Sequence, residues 1–212
     1  MKALLFDFDG TLVDSMPVFG AIMLKILDDY KISYGPDIVK AITPLGYEGT
    51  ARYFSQLGSP EPIEAMMLRM HQAASEAYAH DVQAKPNVIQ TLRRLNADGK
   101  DLAVLTASPH MILNPCLKRL GIYDLFSHVW SCEDFETTKA DPDIYCMAAC
   151  GMGYPTEEVL FLDDNLNACQ TAKRAGMKVC GVQDDSSKEY AREIKTVSDY
   201  YIDDFSQLLE IS

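Results

Sequence analysis

From residue 86 onward the chain alternates between short apolar runs and amphipathic stretches, and this alternation limits the fold more than any other feature. Short apolar runs between turn residues are typical of buried strands, whereas apolar residues three and four apart are typical of helices. Strands that alternate with helices form a parallel sheet covered on both faces. We therefore predict an α/β fold, a Rossmann-like parallel sheet with helices on both faces. The predicted strands are 3–8, 101–106, 128–131, 159–163, 178–182 and 199–202.

The first part of the chain breaks this alternation, because after the first strand it carries only helical patterns as far as Lys85-Pro86. Helices are predicted near residues 16–31, 36–42, 47–57 and 61–80. Met66, Met67 and Met70 lie on one face of the last of these, where they are expected to be core residues. We therefore predict a core built from 1–15 and 86–212 and an inserted α-helical cap at 16–85, over the carboxyl edge of the sheet.

Composition excludes several classes of partner. The 212 residues are 48% hydrophobic and 24% charged, as in ordinary globular proteins, and the formal net charge is −12. So acidic a chain is a poor ligand for nucleic acid or for an anionic membrane, both of which need positive potential. No stretch is apolar enough for a signal peptide or a membrane span, and the six cysteines lack zinc-ligand spacing. These features predict a cytoplasmic protein with free thiols, and they leave both a monomer and a homodimer open.

Four polar clusters occur where predicted strands end or helices begin. They are Asp7-Phe8-Asp9, Thr106-Ala107-Ser108, Lys139 and Asp163-Asp164. Because the carboxyl ends of parallel strands meet at one edge of the sheet, we expect these side chains to converge there. Carboxylates so close together repel one another unless a cation or a shared proton relieves them. The set suits a divalent cation, for which we expect magnesium, together with a phosphoryl group.

Taken together, these residues resemble the haloacid dehalogenase superfamily of phosphohydrolases, and the resemblance covers nearly the whole chain. It is closest to the branch of phosphoglycolate phosphatases and β-phosphoglucomutases, in which a helical cap follows the first motif. Asp7-Phe8-Asp9-Gly10-Thr11-Leu12 matches that first motif without a departure. Thr106, Lys139 and the pair Asp163-Asp164 match the other three. The third motif departs from the usual pattern at Thr138, where Gly is usual, and at Ala140, where Pro is usual.

The resemblance implies a reaction through an aspartyl-phosphate. Asp7 would be the nucleophile, and Asp9 would protonate the leaving oxygen and then activate water. Mg²⁺ would be held by the carboxylates of Asp7 and Asp164 and by the backbone carbonyl of Asp9. Asp163 would act through a water molecule or from outside the direct ligand shell.

The resemblance also implies how the substrate is held. Thr106, the backbone N–H of Ala107 and Lys139 would bind the phosphoryl oxygens. Substrate choice would depend on the predicted cap, for which the candidate residues are Gly46, Tyr47, Glu48 and Arg52.

Asp9 points to phosphate-ester chemistry, since members of the superfamily that do not cleave esters generally lack this second acid. The expected function is a Mg-dependent phosphatase for a small phosphorylated metabolite. Two alternatives stay open at this point. One is a phosphomutase of the β-phosphoglucomutase type, although no cation occurs between Thr43 and Thr50 to bind a second phosphate. The other is a non-enzymatic phospho-aspartate switch.

Overall fold

The computed structural model describes residues 1–211, except for the side chain of Pro44. The chain forms two compact units. The first unit consists of Met1–Asp14 and the residues from Gln83 onward, and the second unit is Ser15–Val82. The sequence pattern set the corresponding boundaries after residues 15 and 85, so the two divisions differ by one residue and by three.

The first unit is built on a six-stranded sheet in the order β3-β2-β1-β4-β5-β6. All of its neighbouring strands pair in parallel. The α/β fold class predicted from the alternation is therefore confirmed. The strands are β1 (Ala3–Phe6), β2 (Asp101–Thr106), β3 (His128–Ser131), β4 (Val159–Asp163), β5 (Lys178–Val182) and β6 (Tyr200–Ile202).

Both faces of this sheet are covered, as the fully buried pattern of β1 requires. Successive side chains of a strand point to opposite faces. Ala3 and Leu5 pack in one cluster with residues of the helices between β3 and β6. Phe6, which follows Leu5, instead packs against the rings of Phe126 and Phe205. The apolar runs that predicted buried strands therefore reflect burial from two sides.

Helices alternate with the strands. They are α5 (Val88–Ala97), α6 (His110–Arg119), α7 (Asp143–Met152), α8 (Leu166–Arg174), α9 (Ala191–Val197) and α10 (Leu208–Ile211). α6 contains Pro115 and continues through it to Arg119. The start of α8 is fixed by Asn165, whose side chain accepts hydrogen bonds from the backbone N–H groups of Asn167 and Ala168.

The second unit contains α1 (Met16–Asp29), α2 (Ile38–Ile42), α3 (Gly46–Gln56) and α4 (Ile63–His80). Its core includes Met23, Phe54, Met66 and Met70, all fully buried, so the expected core role of Met66 and Met70 is confirmed. Met67 is only partly buried and packs against this core. Within residues 1–211, no helix is long and apolar enough to cross a lipid bilayer.

Candidate active site

The first acidic motif lies in a tight turn directly after β1. Asp7 adds one more hydrogen bond between β1 and β4, since its backbone N–H donates to the carbonyl of Leu162 at 2.8 Å. The chain then reverses at Gly10, whose φ of +75° is a conformation that residues with a side chain rarely adopt. The turn is closed by the N–H groups of Leu12 and Val13, which both donate to the carbonyl of Phe8. These bonds place Asp7 at the carboxyl edge of the sheet.

Three buried carboxylates meet at this edge. Asp7, Asp163 and Asp164 each offer an oxygen, and these atoms all lie within 4.8 Å of one another. Asp163 and Asp164 stand at the end of β4, which is the sheet neighbour of β1. Strand order therefore brings together acids that are more than 150 residues apart in the chain. Such a cluster of oxygens could hold a metal ion.

Lys139 supplies positive charge beside this cluster. Its ammonium pairs with Asp7 Oδ1 and lies 2.8 Å from Asp163 Oδ2. Burial disfavours a charged lysine, but Asp163 and Asp7 outweigh that effect and keep the pKa of Lys139 well above its usual value. The side chain is therefore an ammonium ion at neutral pH.

One ammonium does not balance the cluster. Burial raises the pKa of Asp7 to about 7, with Lys139 opposing the change and Asp163 adding to it. Burial, then the charges of Asp163 and Asp7, also raise the pKa of Asp164 well above its usual value. Both acids therefore resist ionisation, first because they are buried and then because other carboxylates lie beside them. A divalent cation would supply positive charge, and carboxylate oxygens are the ligands that Mg²⁺ prefers, so the residues present fit such an ion.

Asp164 is fixed by contacts from the turn after β1. Thr11 Oγ1 donates to Asp164 Oδ1 at 3.1 Å. A Cβ atom at Gly10 would lie only 2.7 to 2.8 Å from the Asp164 carboxylate atoms, closer than carbon and oxygen can approach. Glycine at this position is thus required twice, once for its backbone conformation and once for the space that Asp164 occupies.

Asp163 has both carboxylate oxygens engaged within the protein. Oδ2 accepts from Lys139, and Oδ1 accepts from the backbone N–H of Asn165 at 2.7 Å. Its neighbour Asp164 has no such backbone bond among the contacts described for residues 1–211. This difference favours Asp164 over Asp163 as a direct metal ligand.

The second motif holds Asp9 through a serine to which the sequence interpretation gave no role. Ser108 Oγ donates to Asp9 Oδ2 at 2.6 Å, and Ser108 N–H donates to Thr106 Oγ1 at 3.0 Å. Thr106 is buried at the end of β2, whereas Ala107 is exposed. The position of Ser108, two residues beyond a strand adjacent to β1, was the available sequence signal. The sequence did not show that Ser108 bonds to Asp9, because these two residues are 99 positions apart in the chain.

The four predicted specificity residues lie at the beginning of α3 in the second unit. Gly46 starts the helix, and Tyr47 packs edge-on against the rings of Phe19 and His71. Glu48 and Arg52 form an exposed ion pair at 2.7 Å, one helical turn apart. An exposed pair of this kind adds little stability.

Comparison with known proteins relates the chain to hydrolases and phosphatases. A family model described as haloacid dehalogenase-like hydrolase matches residues 4–182. A phosphoglycolate phosphatase of Salmonella choleraesuis (strain SC-B67) is 30% identical over 205 residues, covering 86% of this chain and 81% of the relative. The pyrophosphatase PpaX of Bacillus velezensis is 29% identical over 216 residues, covering 100% of this chain and 96% of the relative.

Solved structures resemble the fold along its full length. One, assigned as a phosphoglycolate phosphatase of Haemophilus somnus, has a TM-score of 0.83 at 24% identity, covering 100% of this chain and 97% of its own. Another, assigned as a β-phosphoglucomutase of Thermotoga maritima, has a TM-score of 0.82 at 21% identity, covering 100% and 98%. The predicted resemblance is confirmed: the chain belongs to the haloacid dehalogenase-like hydrolases and is a phosphohydrolase of that family.

Proposed function

We propose that this protein is a cytoplasmic, magnesium-dependent phosphatase that hydrolyses the phosphate monoester of a small metabolite through an aspartyl-phosphate on Asp7. The observation that carries the proposal is the cluster of Asp7, Asp163 and Asp164, with the Lys139 ammonium paired to the first two. A nucleophilic carboxylate, a fixed cation and additional oxygen ligands are what phosphoryl transfer requires. The six free cysteines agree with a reducing compartment.

In the first step, an Asp7 carboxylate oxygen attacks phosphorus and the bond from phosphorus to the ester oxygen breaks. Asp9 gives its proton to the departing oxygen, so that an alcohol leaves rather than an alkoxide. The 2.6 Å hydrogen bond from Ser108 holds the Asp9 carboxylate in a fixed orientation for this transfer. Thr106, the Ala107 N–H and Lys139 bind the phosphoryl oxygens.

In the second step, Asp9 takes a proton from water, and the resulting hydroxide attacks phosphorus. The bond to the Asp7 oxygen breaks, which releases inorganic phosphate and restores the free carboxylate. Asp7, Asp164 and the Asp9 carbonyl would hold Mg²⁺, with Asp163 acting from outside the direct ligands. When bound, the ion offsets negative charge on the carboxylates and on the phosphoryl oxygens.

The sequence-based alternatives are less well supported. A phosphomutase must hold a second phosphate, and the stretch from Thr43 to Thr50 carries no cation, while nearby Arg52 is already paired with Glu48. A phospho-aspartate switch would need a long-lived phosphoryl group on Asp7, and Asp9 argues for its turnover. Substrate choice by the second unit, through the residues at the start of α3, stays a prediction.

The test is phosphate release from a panel of esters, with Mg²⁺ and with EDTA. Phosphoglycolate, sugar phosphates and pyrophosphate belong in the panel, because relatives bear the names phosphoglycolate phosphatase, phosphorylated carbohydrates phosphatase and pyrophosphatase. We expect magnesium-dependent release that Asp7→Asn abolishes. Asp14→Asn is the matched control, since Asp14 is exposed and lies outside the carboxylate cluster.

Normal turnover by the Asp7→Asn protein would overturn the mechanism. Isomerisation of a sugar phosphate only after priming with a bisphosphate would establish the mutase instead. A stable phospho-Asp7 without phosphate release would establish the switch.

A further inference from the structure

Lys85 contacts the first motif although it lies outside all four motifs. Its ammonium donates to Gly10 O at 2.7 Å, to Gln183 O at 2.5 Å and to Asp184 Oδ2 at 3.0 Å. The side chain of Lys85 is 15% exposed and that of Asp184 is 6% exposed. Each of the three ammonium protons therefore has an acceptor in a mostly buried place, so the group is held in one position.

The same residue also binds the turn through its backbone. Lys85 N–H donates to the carbonyl of Leu12 at 3.0 Å, so residue 85 holds two carbonyls of the turn after β1. An ion pair with Asp184 would by itself balance the lysine charge. The two further bonds from the ammonium go to main-chain oxygens, which indicates that the side chain orders the backbone as well as pairing its charge.

The sheet order explains what this arrangement holds. Gly10 follows β1 and Gln183 follows β5, and in the sheet these two strands flank β4, which ends at Asp163. Lys85 thus links the chain segments on both sides of the strand that carries the acidic pair. The Gly10–Thr11 segment it holds is the segment that contacts Asp164, through the close approach of Gly10 and the Thr11 hydrogen bond.

We infer that Lys85, paired with Asp184, is a positioning residue that sets the divalent-cation affinity of the carboxylate cluster by holding the Gly10–Thr11 segment against Asp164. The inference rests on the proposed magnesium-dependent function. Lys85 bonds to the segment that holds the proposed ligand Asp164, and its charge also lowers the pKa of that carboxyl group. Loss of the ammonium charge would by itself strengthen cation binding, so weaker binding in its absence reports the lost placement of the carboxylate. Partners that orient metal ligands in this way typically change metal affinity about 10- to 100-fold when removed.

The experiment measures Mg²⁺ binding to the full chain by isothermal titration calorimetry, well below the unfolding temperature. Lys85→Met keeps the aliphatic chain and removes the ammonium, and we expect it to weaken Mg²⁺ binding about tenfold. Lys173→Met is the matched control: Lys173 is also a paired lysine of the first unit, but its partner is Asp199. We expect its Mg²⁺ affinity to equal that of the wild type.

A second variant tests the route of the effect. Thr11→Val removes the hydroxyl that donates to Asp164 with little change in volume. If Lys85 acts through this segment, the double variant Lys85→Met/Thr11→Val loses no more affinity than the stronger single variant. Fully additive losses would overturn this route, because independent contributions add.

The other outcomes are equally decisive. A folded Lys85→Met protein with wild-type Mg²⁺ affinity overturns the inference and leaves the phosphatase proposal intact. If Lys85→Met does not fold, Lys85→Gln, which keeps a polar group at this position, replaces it: weakened Mg²⁺ binding supports the inference and unchanged binding overturns it. A wild-type protein that binds no Mg²⁺ overturns both the magnesium-dependent function and this inference.

Discussion

Replacing Asp7 by asparagine should make the metal-free protein more stable while it removes the nucleophile. Asp7 is buried, and its pKa is about 7 in the folded chain, compared with 3.8 for an unperturbed aspartate. A carboxyl group whose pKa is higher in the folded state opposes folding wherever the unfolded chain is ionised. Asparagine has nearly the same shape as the protonated acid and never ionises, so it removes this cost.

The magnitude follows from the two pKa values. The cost begins as the pH rises above 3.8 and is complete above about 7. At about 1.4 kcal/mol per pH unit, it reaches about 4 kcal/mol at pH 8 and falls to about 2 kcal/mol at pH 5. The attraction of Lys139 is already contained in the raised pKa. The stability gained by Asp7→Asn should therefore shrink as the solution is acidified.

The assay is urea unfolding of wild type and Asp7→Asn at pH 8 and pH 5, with EDTA present. Asp199→Asn is a control for which we expect the opposite change in the free energy of unfolding. Burial alone would raise the pKa of Asp199, but hydrogen bonds from Lys173 and from the Val179 N–H outweigh burial and hold this pKa below its usual value. Asp199 therefore stabilises the fold above its unfolded pKa and loses that contribution as the pH falls through its folded pKa, so Asp199→Asn should destabilise the protein at pH 8.

The reasoning is refuted if Asp7→Asn is no more stable than wild type at pH 8. It is equally refuted if the stability difference does not fall between pH 8 and pH 5. Adding Mg²⁺ should narrow the difference at pH 8, because an ion bound in the native state stabilises the wild type more than the variant that lacks one carboxylate.

Two further substitutions separate contacts at the site from general effects on folding. Gly10→Ala and Gly153→Ala both place a side chain at positive φ, at a cost of about 1–3 kcal/mol each. Only Gly10→Ala also displaces Asp164, so it alone should lose phosphate release; equal activities would contradict the close-contact argument. Ser108→Ala should lower kcat about tenfold, less than the loss of a whole general acid, because Asp9 keeps its carboxylate and loses only its orienting bond. Steady-state kinetics with saturating Mg²⁺ measures this, and an unchanged kcat would show that the bond does not position Asp9.

Much of the fold was readable in the sequence. The strands at 101–106, 128–131, 159–163 and 178–182 have the predicted bounds, because each is a short run bounded by turn residues. The edge strand β3 shows that such a run need not be fully buried, since three of its four residues are only partly buried. The first strand was predicted to reach residue 8 but ends at Phe6, since the backbone beyond Asp7 already enters the turn around Gly10. Burial could not reveal this end, because Asp7 and Phe8 both stay buried after strand pairing stops.

The candidate site likewise has a part that the sequence predicted and a part that it did not. The sequence alone determined which acids follow strand ends, and the parallel sheet then brings Asp7, Asp163 and Asp164 together with Lys139. Their catalytic and metal-binding roles stay predictions. Only the tertiary structure decided which neutral and basic groups hold these acids in place.

Those supporting contacts join residues far apart in the chain: Lys85 with Gly10, Ser108 with Asp9, and Thr11 with Asp164. Local periodicity reports how one segment is buried, because it depends on the backbone repeat of that segment. A contact between two loops depends instead on strand order and on the path of each turn, and these are set by packing throughout the first unit. The sequence thus determined the kind of fold and the reactive groups, and the tertiary structure determined their environment.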